Sequence, residues 1–337
     1  MDRVKRIFLL LALGLVLAGI AAAWGVQDLR RFSRTPMAET DAERIVAIQR
    51  GQGFEGVLDR LEAAGIVRDP LRFRLLARWH GFDRRIKAGE YRLSTGMTPL
   101  QLLRNLAEGR VVLIRLTIPE GFTLRQIADA VAEAGLASAE EFLSAASDPQ
   151  WTRERGIPAD SLEGYLFPDT YLFSRSATVP EIIQTPLDRF HAVFREEWRE
   201  RAAELGFTVH EIVTLASIIE RETGAPEERS RIAGVFHNRL RIGMRLQSDP
   251  TVIYGVADFD GNLTRAHLDT PTPYNTYQMA GLPPGPIASP GAAALEAALY
   301  PMETDELYFV SRGDGTHVFS TNLRDHNRAV RRFQLGQ

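Results

Sequence analysis

The chain contains no cysteine, which excludes a disulfide, a thiolate nucleophile and any Cys-ligated metal. That absence fits either side of a bacterial membrane and does not discriminate between them. A strong charge bias is also missing. Forty Lys and Arg stand against 43 Asp and Glu, a formal net charge of −3, so nothing general points to nucleic acid as a partner. His317 and His326 are too few and too scattered for zinc-ligand spacing. No G-x-S-x-G nucleophile motif and no phosphate-binding P-loop occurs. No metal and no cofactor is expected.

What is present begins with an N-terminal apolar run. Arg3, Lys5 and Arg6 precede an uninterrupted stretch from Ile7 to Val26. A helix of about 20 residues spans about 30 Å, the thickness of a bilayer core. A cleaved signal peptide is the alternative, since Ala21-Ala22-Ala23 offers a small-residue cleavage site. The length of the run and Trp24, placed as an interfacial residue, favour an anchor. Arg30, Arg31 and Arg34 balance the basic residues on the near side, so charge asymmetry says little about orientation. Either reading implies an exported body. Residues 1–27 are taken as cytoplasmic tip and anchor, and the polar residues 28–44 as a linker.

The rest of the chain, 45% hydrophobic and 25% charged overall, has ample length for a real core. A strand, turn and helix rhythm occurs three times. Arg44–Ile48 is followed by a Gly51-Gln-Gly53 turn and an amphipathic Phe54–Ala64. Gly89–Gly96 is followed by Pro99–Gly109. A strand-like run from Leu113 is followed by Pro119-Glu-Gly121 and by Phe122–Ala134. The glycines after these helices serve as C-terminal caps. This rhythm resembles LysM-like modules, which bind N-acetylglucosamine polymers; the plainer reading is a set of small α+β packing units without a ligand. Residues 45–150 are assigned to this module region and 151–337 to a larger mixed α/β catalytic domain, α+β overall. Leu162–Tyr171, rich in aromatics, either lines a sugar cleft or buries Tyr165, Phe167 and Tyr171 as a connector. Ile182–Leu205 reads as one long helix with a solvated charged face.

The most informative stretch is Leu215–Gly255. Ile212, Leu215, Ala216 and Ile219 recur at helical spacing and mark a core-facing stripe. Glu222 continues that apolar side, three residues after Ile219 and four after Ile218, whereas Glu220 lies nearer the stripe's polar border. A carboxylate at the end of an apolar helix is poorly solvated, so its pKa rises. A carboxylic acid still protonated near neutrality is what glycosidic bond cleavage requires. The plainer reading of Glu222 is a buried carboxylate paired with an arginine, or a fraying terminal residue. Arg239, Arg241 and Arg245 follow, then Gln247-Ser248-Asp249-Pro-Thr251, which reads as a loop. Donors of this kind suit a polyhydroxylated, acetamido-bearing or anionic substrate. A second polar loop system carries Tyr274, Asn275, Thr276 and Tyr277, then the Pro- and Gly-rich Gly281–Gly291. Leu307–Val310 and His317–Ser320 flank Gly313-Asp-Gly315 and predict a hairpin.

The run IIERETGAPEERSRIAGVFHNRLRIGMRLQSDPTVIYG, with TPYNTY and GLPPGPIASPG downstream, resembles the YceG family, the MltG-type endolytic murein transglycosylases. The resemblance covers nearly the whole chain and is loosest in the N-terminal half. It implies a single-pass inner-membrane anchor with the body in the periplasm. It implies peptidoglycan glycan strands as substrate, cut between N-acetylmuramic acid and N-acetylglucosamine to leave a 1,6-anhydro end. It also implies involvement in ending strand elongation, with peptidoglycan synthases (penicillin-binding proteins) as candidate partners. The family's essential Glu falls on Glu222, with Glu220 in reserve. A lytic transglycosylase needs only one acid/base carboxylate, because the substrate's own C6 hydroxyl attacks. Gln247, Ser248, Asp249, Tyr254, Asn275 and Tyr277 would position the sugar rings, and Arg239 or Arg245 would orient the acid or hold acetamido or lactyl groups. The competing class is a membrane-tethered glycan-binding scaffold that cuts nothing. A hydrolase with Asp249 as second carboxylate is a third option.

Overall fold

The computed structural model describes residues 2–38, 40–257 and 259–336. Its backbone clusters into two compact units. The first comprises the chain up to Ile114 together with Phe173–Ser176, and the second comprises Arg115–Leu172 and Ala177–Gln337.

In the first unit, helix α1 (Asp2–Arg34) contains a stretch long and apolar enough to cross a membrane, with none of that stretch buried in the protein. Then come β1 (Glu43–Ile48), α2 (Phe54–Ala63), α3 (Pro70–His80), β2 (Gly89–Ser94) and α4 (Pro99–Glu108). β1 and β2 pair antiparallel, with Val46 opposite Tyr91. Alternation along the pleat sends Val46 and Ile48 into the core and leaves Ile45 outside. Leu58 and Leu61 of α2, Phe73 and Leu76 of α3, and Leu102, Leu103 and Leu106 of α4 complete that core. Thr98 starts α4 with a capping box to Gln101, and Gly109 ends it in the left-handed conformation.

Two expectations change here. The first two strand-turn-helix stretches are not separate modules. A lone strand leaves its backbone groups unpaired, and the strands of those stretches satisfy each other, with the unanticipated α3 between them in sequence. Nor are residues 28–34 a linker. They form the last turns of α1, where Leu29 and Phe32, three residues apart, join the core with Met37, and Arg72 pairs with Asp28 at 3.2 Å. That short apolar stripe is hidden by the polar residues around it.

The second unit is entered within β3 (Leu113–Thr117), followed by α5 (Leu124–Glu133), α6 (Ala139–Ala146) and α7 (Pro149–Glu154). β4 (Thr170–Ser174) pairs with β3. The packing boundary therefore lies near residue 114 rather than 150. α5 and α6 pack on each other, Ile118 N–H donates to the Asp169 carbonyl at 2.9 Å, and Gly121 N–H donates to the Ser289 carbonyl at 2.9 Å. The aromatic side chains of the segment running into β4 form a buried connector: Tyr165, Phe167 and Tyr171 are all buried, and Tyr165 meets Phe190 edge-on at 5.1 Å.

The long helix expected over 182–205 is two, α8 (Val179–Val193) and α9 (Glu196–Glu204). Phe194 leaves helical geometry between them and is fully buried, stacked on Phe190 at 5.6 Å with Trp198 edge-on at 5.7 Å. No Gly or Pro marks the break, so the charge pattern runs through it. α10 (Val209–Glu222) follows, capped by Thr208 and Glu211. Every residue from Ile212 to Ile219 is buried, so α10 is a central helix and not merely one with a buried stripe. It packs on α9 and on three later helices: α11 (Arg229–Arg241), entered through a 3-10 turn at Pro226–Glu228, then α12 (Asp249–Gly255), and α14 (Ala292–Leu299), which follows α13 (Arg265–Asp269). Each of its buried Ile, Leu and Val side chains stabilises by about 1.5–3 kcal/mol. The chain ends with the predicted hairpin, β5 (Tyr308–Ser311) and β6 (His317–Ser320), and α15 (Leu323–Phe333). The unit is α+β but dominated by helices, because its described strands pair only in twos.

Candidate active site

α10 ends at Glu222 because Thr223 turns extended; its N–H and Oγ1–H both donate to the Ile219 carbonyl, at 3.0 and 2.7 Å. Gly224 then lets the hairpin turn approach. A Cβ on Gly224 would lie 2.7 Å from the Gly315 carbonyl oxygen. The result is a cleft of about 430 Å³. Glu222, Arg239, Gln247, Asp249 and Tyr277 line one part of it, and the hairpin and α15 supply the rest through Tyr308, His317, His326 and Asn327.

The Glu222 carboxyl is enclosed by protein although the residue keeps some surface on the cleft. Ser248 Oγ–H donates to its Oε1 at 2.6 Å. Burial pushes its pKa from 4.5 up to about 7; the Ser248 bond opposes that rise, the nearby Asp249 charge adds to it, and the Arg239 charge opposes it. An acid tuned to neutrality can both give and take a proton. Tyr277 O–H donates to Asp249 Oδ1 at 2.7 Å, which fixes the second carboxylate of the cleft.

The loop carrying Ser248 is built for this contact. Gln247 has φ 49°, a left-handed conformation that is rare for a residue other than Gly and clusters at functional sites. Gln247 N–H donates to the Thr276 carbonyl at 3.2 Å, and Ser248 N–H donates to Thr276 Oγ1 at 3.0 Å. Arg239 is buried, and its guanidinium donates to the Leu307 carbonyl at 2.6 Å and the Leu246 carbonyl at 2.5 Å. It therefore ties the loop to the hairpin while contributing its charge to Glu222. The expected loop is partly helix: Asp249, Pro250 and Thr251 form the first turn of α12, with Pro250 near its start, where a missing N–H costs nothing.

Other candidate residues lie elsewhere. Glu220, two positions from Glu222 and so on the other side of the helix, accepts from Gly291 N–H at 2.9 Å and pairs with Arg229 at 3.5 Å. Burial raises its pKa, but it does not line the cleft. Asn275 is fully buried. Its amide donates to the carbonyls of His267, Leu268 and Thr270 at 3.2, 3.0 and 2.7 Å, and its Oδ1 accepts from Tyr277 N–H at 2.9 Å. Asn275 is thus consumed in shaping the loop that presents Tyr277. Tyr254 is turned away by α12 and donates to Glu163 Oε2 at 3.0 Å. Glu163, also an acceptor for Leu124 N–H, is raised by burial to about 7. Arg245 is exposed and holds the Tyr277 carbonyl at 2.8 Å.

Residues 46–332 match the YceG-like family. The chain belongs to the YceG-like family. It is 31% identical over 303 residues to a Bacillus subtilis protein named endolytic murein transglycosylase, covering 86% of this chain and 84% of that one. A Streptococcus pneumoniae R6 protein of the same name is 35% identical over 320 residues, but the match spans only 57% of its length. The crystal structure of a YceG-like protein from Listeria monocytogenes superposes with a TM-score of 0.59 at 32% identity, covering 86% of this chain and 99% of that one.

The hairpin and α15 wall of the family member's cleft was missed in the sequence. His326 stacks on Tyr308 at 5.0 Å, and the Arg239 guanidinium lies 5.4 Å from the same Tyr308 ring. Burial, then the Arg239 charge, lowers the pKa of His326. His317 and His326 lack metal-ligand spacing; the signal for a cleft wall is two imidazoles in a hairpin-helix segment that also carries Tyr308, Phe309 and Phe319. No cluster of three or more His, Asp and Glu side chains suited to a metal occurs among the described residues. A larger cleft of about 700 Å³, lined by Phe207, His210, His237, Leu240 and Pro283, contains none of the candidate catalytic residues.

Proposed function

We propose that the protein is an endolytic murein transglycosylase, anchored to the inner membrane by α1 with its body in the periplasm. It cuts the β-1,4 bond between N-acetylmuramic acid and N-acetylglucosamine within nascent peptidoglycan strands and leaves a 1,6-anhydro end, so terminating strand growth near its synthases. Family membership and the names of the relatives support this reading. The observation that carries it is the Glu222 carboxyl, enclosed at the cleft, bonded to Ser248 and tuned by burial to about 7.

Protonated Glu222 gives its proton to the glycosidic oxygen as that bond breaks. The resulting carboxylate takes the proton of the muramyl C6 hydroxyl as the oxygen closes on C1. Ser248 holds the carboxylate between the two transfers, and Arg239 moderates its charge. Gln247, Asp249 and Tyr277 contact the sugars.

Mass spectrometry of peptidoglycan digested by the wild type, Glu222→Gln and Glu220→Gln tests the proposal. Anhydro ends from the wild type and Glu220→Gln, and none from Glu222→Gln, are expected. Reducing ends would instead mean hydrolysis, and undiminished release by Glu222→Gln would remove Glu222 from the reaction.

A further inference from the structure

The far wall of the Glu222 cleft holds an imidazole that the reaction above leaves unused. His317 opens β6 and lines the same cleft as Glu222. Glu228, the last residue of the 3-10 turn before α11, grips it twice. Its Oε1 accepts from the His317 backbone N–H at 3.1 Å, and its Oε2 lies 2.7 Å from Nδ1. Both side chains are largely enclosed, at 10% and 15% exposure. Phe309 and Phe319 flank the imidazole, with ring centroids 5.4 and 6.2 Å away.

The Glu228 contact occupies Nδ1, which leaves Nε2 as the ring's remaining polar atom. A carboxylate behind an imidazole fixes both its tautomer and its direction, the arrangement that prepares the opposite nitrogen for a ligand. The two walls are also close. Gly224, two residues after Glu222, packs against Gly315, two residues before His317, closely enough that a Cβ there would sit 2.7 Å from the Gly315 oxygen.

We infer that Nε2 of His317 is a substrate contact of this cleft, hydrogen-bonded to a hydroxyl or acetamido group of the amino sugar beside the scissile bond, with Glu228 as the residue that positions it. The inference rests on the glycan-cleaving reading of Glu222. It assigns the hairpin a place in substrate recognition and explains why Glu228 binds both the backbone and the ring of one residue. A hairpin clamp alone needs only the Nδ1 side of the ring; a substrate contact needs the Nε2 side.

The two nitrogens can be separated by substitution. Asn places its amide near the position of Nδ1, and Gln reaches the position of Nε2. Full-length His317→Asn and His317→Gln are compared on purified, uncross-linked glycan strands, with Glu222→Gln as the dead control and thermal unfolding as the check on folding. The expected result is wild-type-like unfolding for His317→Asn with kcat/KM down about tenfold, chiefly through KM, the loss of roughly one hydrogen bond. His317→Gln recovers most of that loss. Equal activity of the two folded variants overturns the inference. Binding settles the matter if either variant unfolds early: Glu222→Gln protein carrying His317→Ala should bind the strands about tenfold more weakly than Glu222→Gln alone, and equal affinity overturns the inference. An active Glu222→Gln control would mark failure of the cleavage reading itself, separately from both results.

Discussion

Replacing Glu222 by Gln should stabilise the protein at alkaline pH while abolishing its activity. Burial raises the folded-state pKa of Glu222 from 4.5 to about 7, so the folded state holds that proton where the unfolded chain has released it. A carboxyl with a raised folded pKa makes stability fall as pH climbs through that window, and the loss is complete above about 7. At about 1.4 kcal/mol per pH unit, the interval from 4.5 to about 7 amounts to ~3 kcal/mol, or ~2 kcal/mol if water reaching the open side of the cleft solvates the ion in part. Gln cannot ionise, is nearly isosteric, and still accepts from Ser248 Oγ–H. The variant should therefore be more stable than the wild type by ~2–3 kcal/mol at pH 8 and by less than about 1 kcal/mol at pH 5. Urea unfolding of the full-length protein in detergent micelles, followed by tryptophan fluorescence, measures this; Trp198, 8% exposed, reports on the second unit. Glu163, also raised to about 7, depresses both proteins alike and cancels in the comparison. A difference that does not change between pH 5 and pH 8 would refute the reasoning, because it would mean that the carboxyl ionises as freely in the folded protein as in the unfolded chain.

Ser248→Ala removes the hydrogen bond that favours the Glu222 carboxylate, so the pKa should rise above 7, by about one pH unit if that bond is worth ~1.5 kcal/mol. As the acid must be protonated, the alkaline fall of kcat/KM should move upward by the same amount; an unmoved limb counts against Glu222 as the acid. Tyr254→Phe takes from buried Glu163 a donor that holds its pKa down. Unfolding should become easier by about 1–2 kcal/mol with KM for glycan strands unchanged, and a raised KM would return Tyr254 to a sugar-contacting role.

The elements nearest the catalytic proposal were the most legible ones. The 3.6-residue period through Ile212, Leu215, Ala216 and Ile219 marked a buried side of α10, and the same period separated Glu222 from Glu220. The hairpin at 308–320 followed from its alternation and its glycine turn. Where the reading failed, the deciding contact was distant in sequence. Asn275 and Tyr254 looked like sugar contacts because they are polar and lie in or near loops, yet Asn275 donates to the carbonyls of His267, Leu268 and Thr270 and Tyr254 to the carboxyl of Glu163. The α8–α9 break comes from Phe194 packing among aromatics, with no Gly or Pro to announce it.

By itself the sequence determined the apolar N-terminal helix, the position of α10, the one acid continuing its apolar side, and the family. These depend on local periodicity and on motifs contiguous in the chain. Only the tertiary structure decided which polar groups face that acid. Ser248 reaches Glu222 across 26 residues, and Glu228 holds His317 across 89. Such pairs form because a buried polar atom must find a partner wherever packing brings one, and packing is a property of the folded chain, not of any stretch of it.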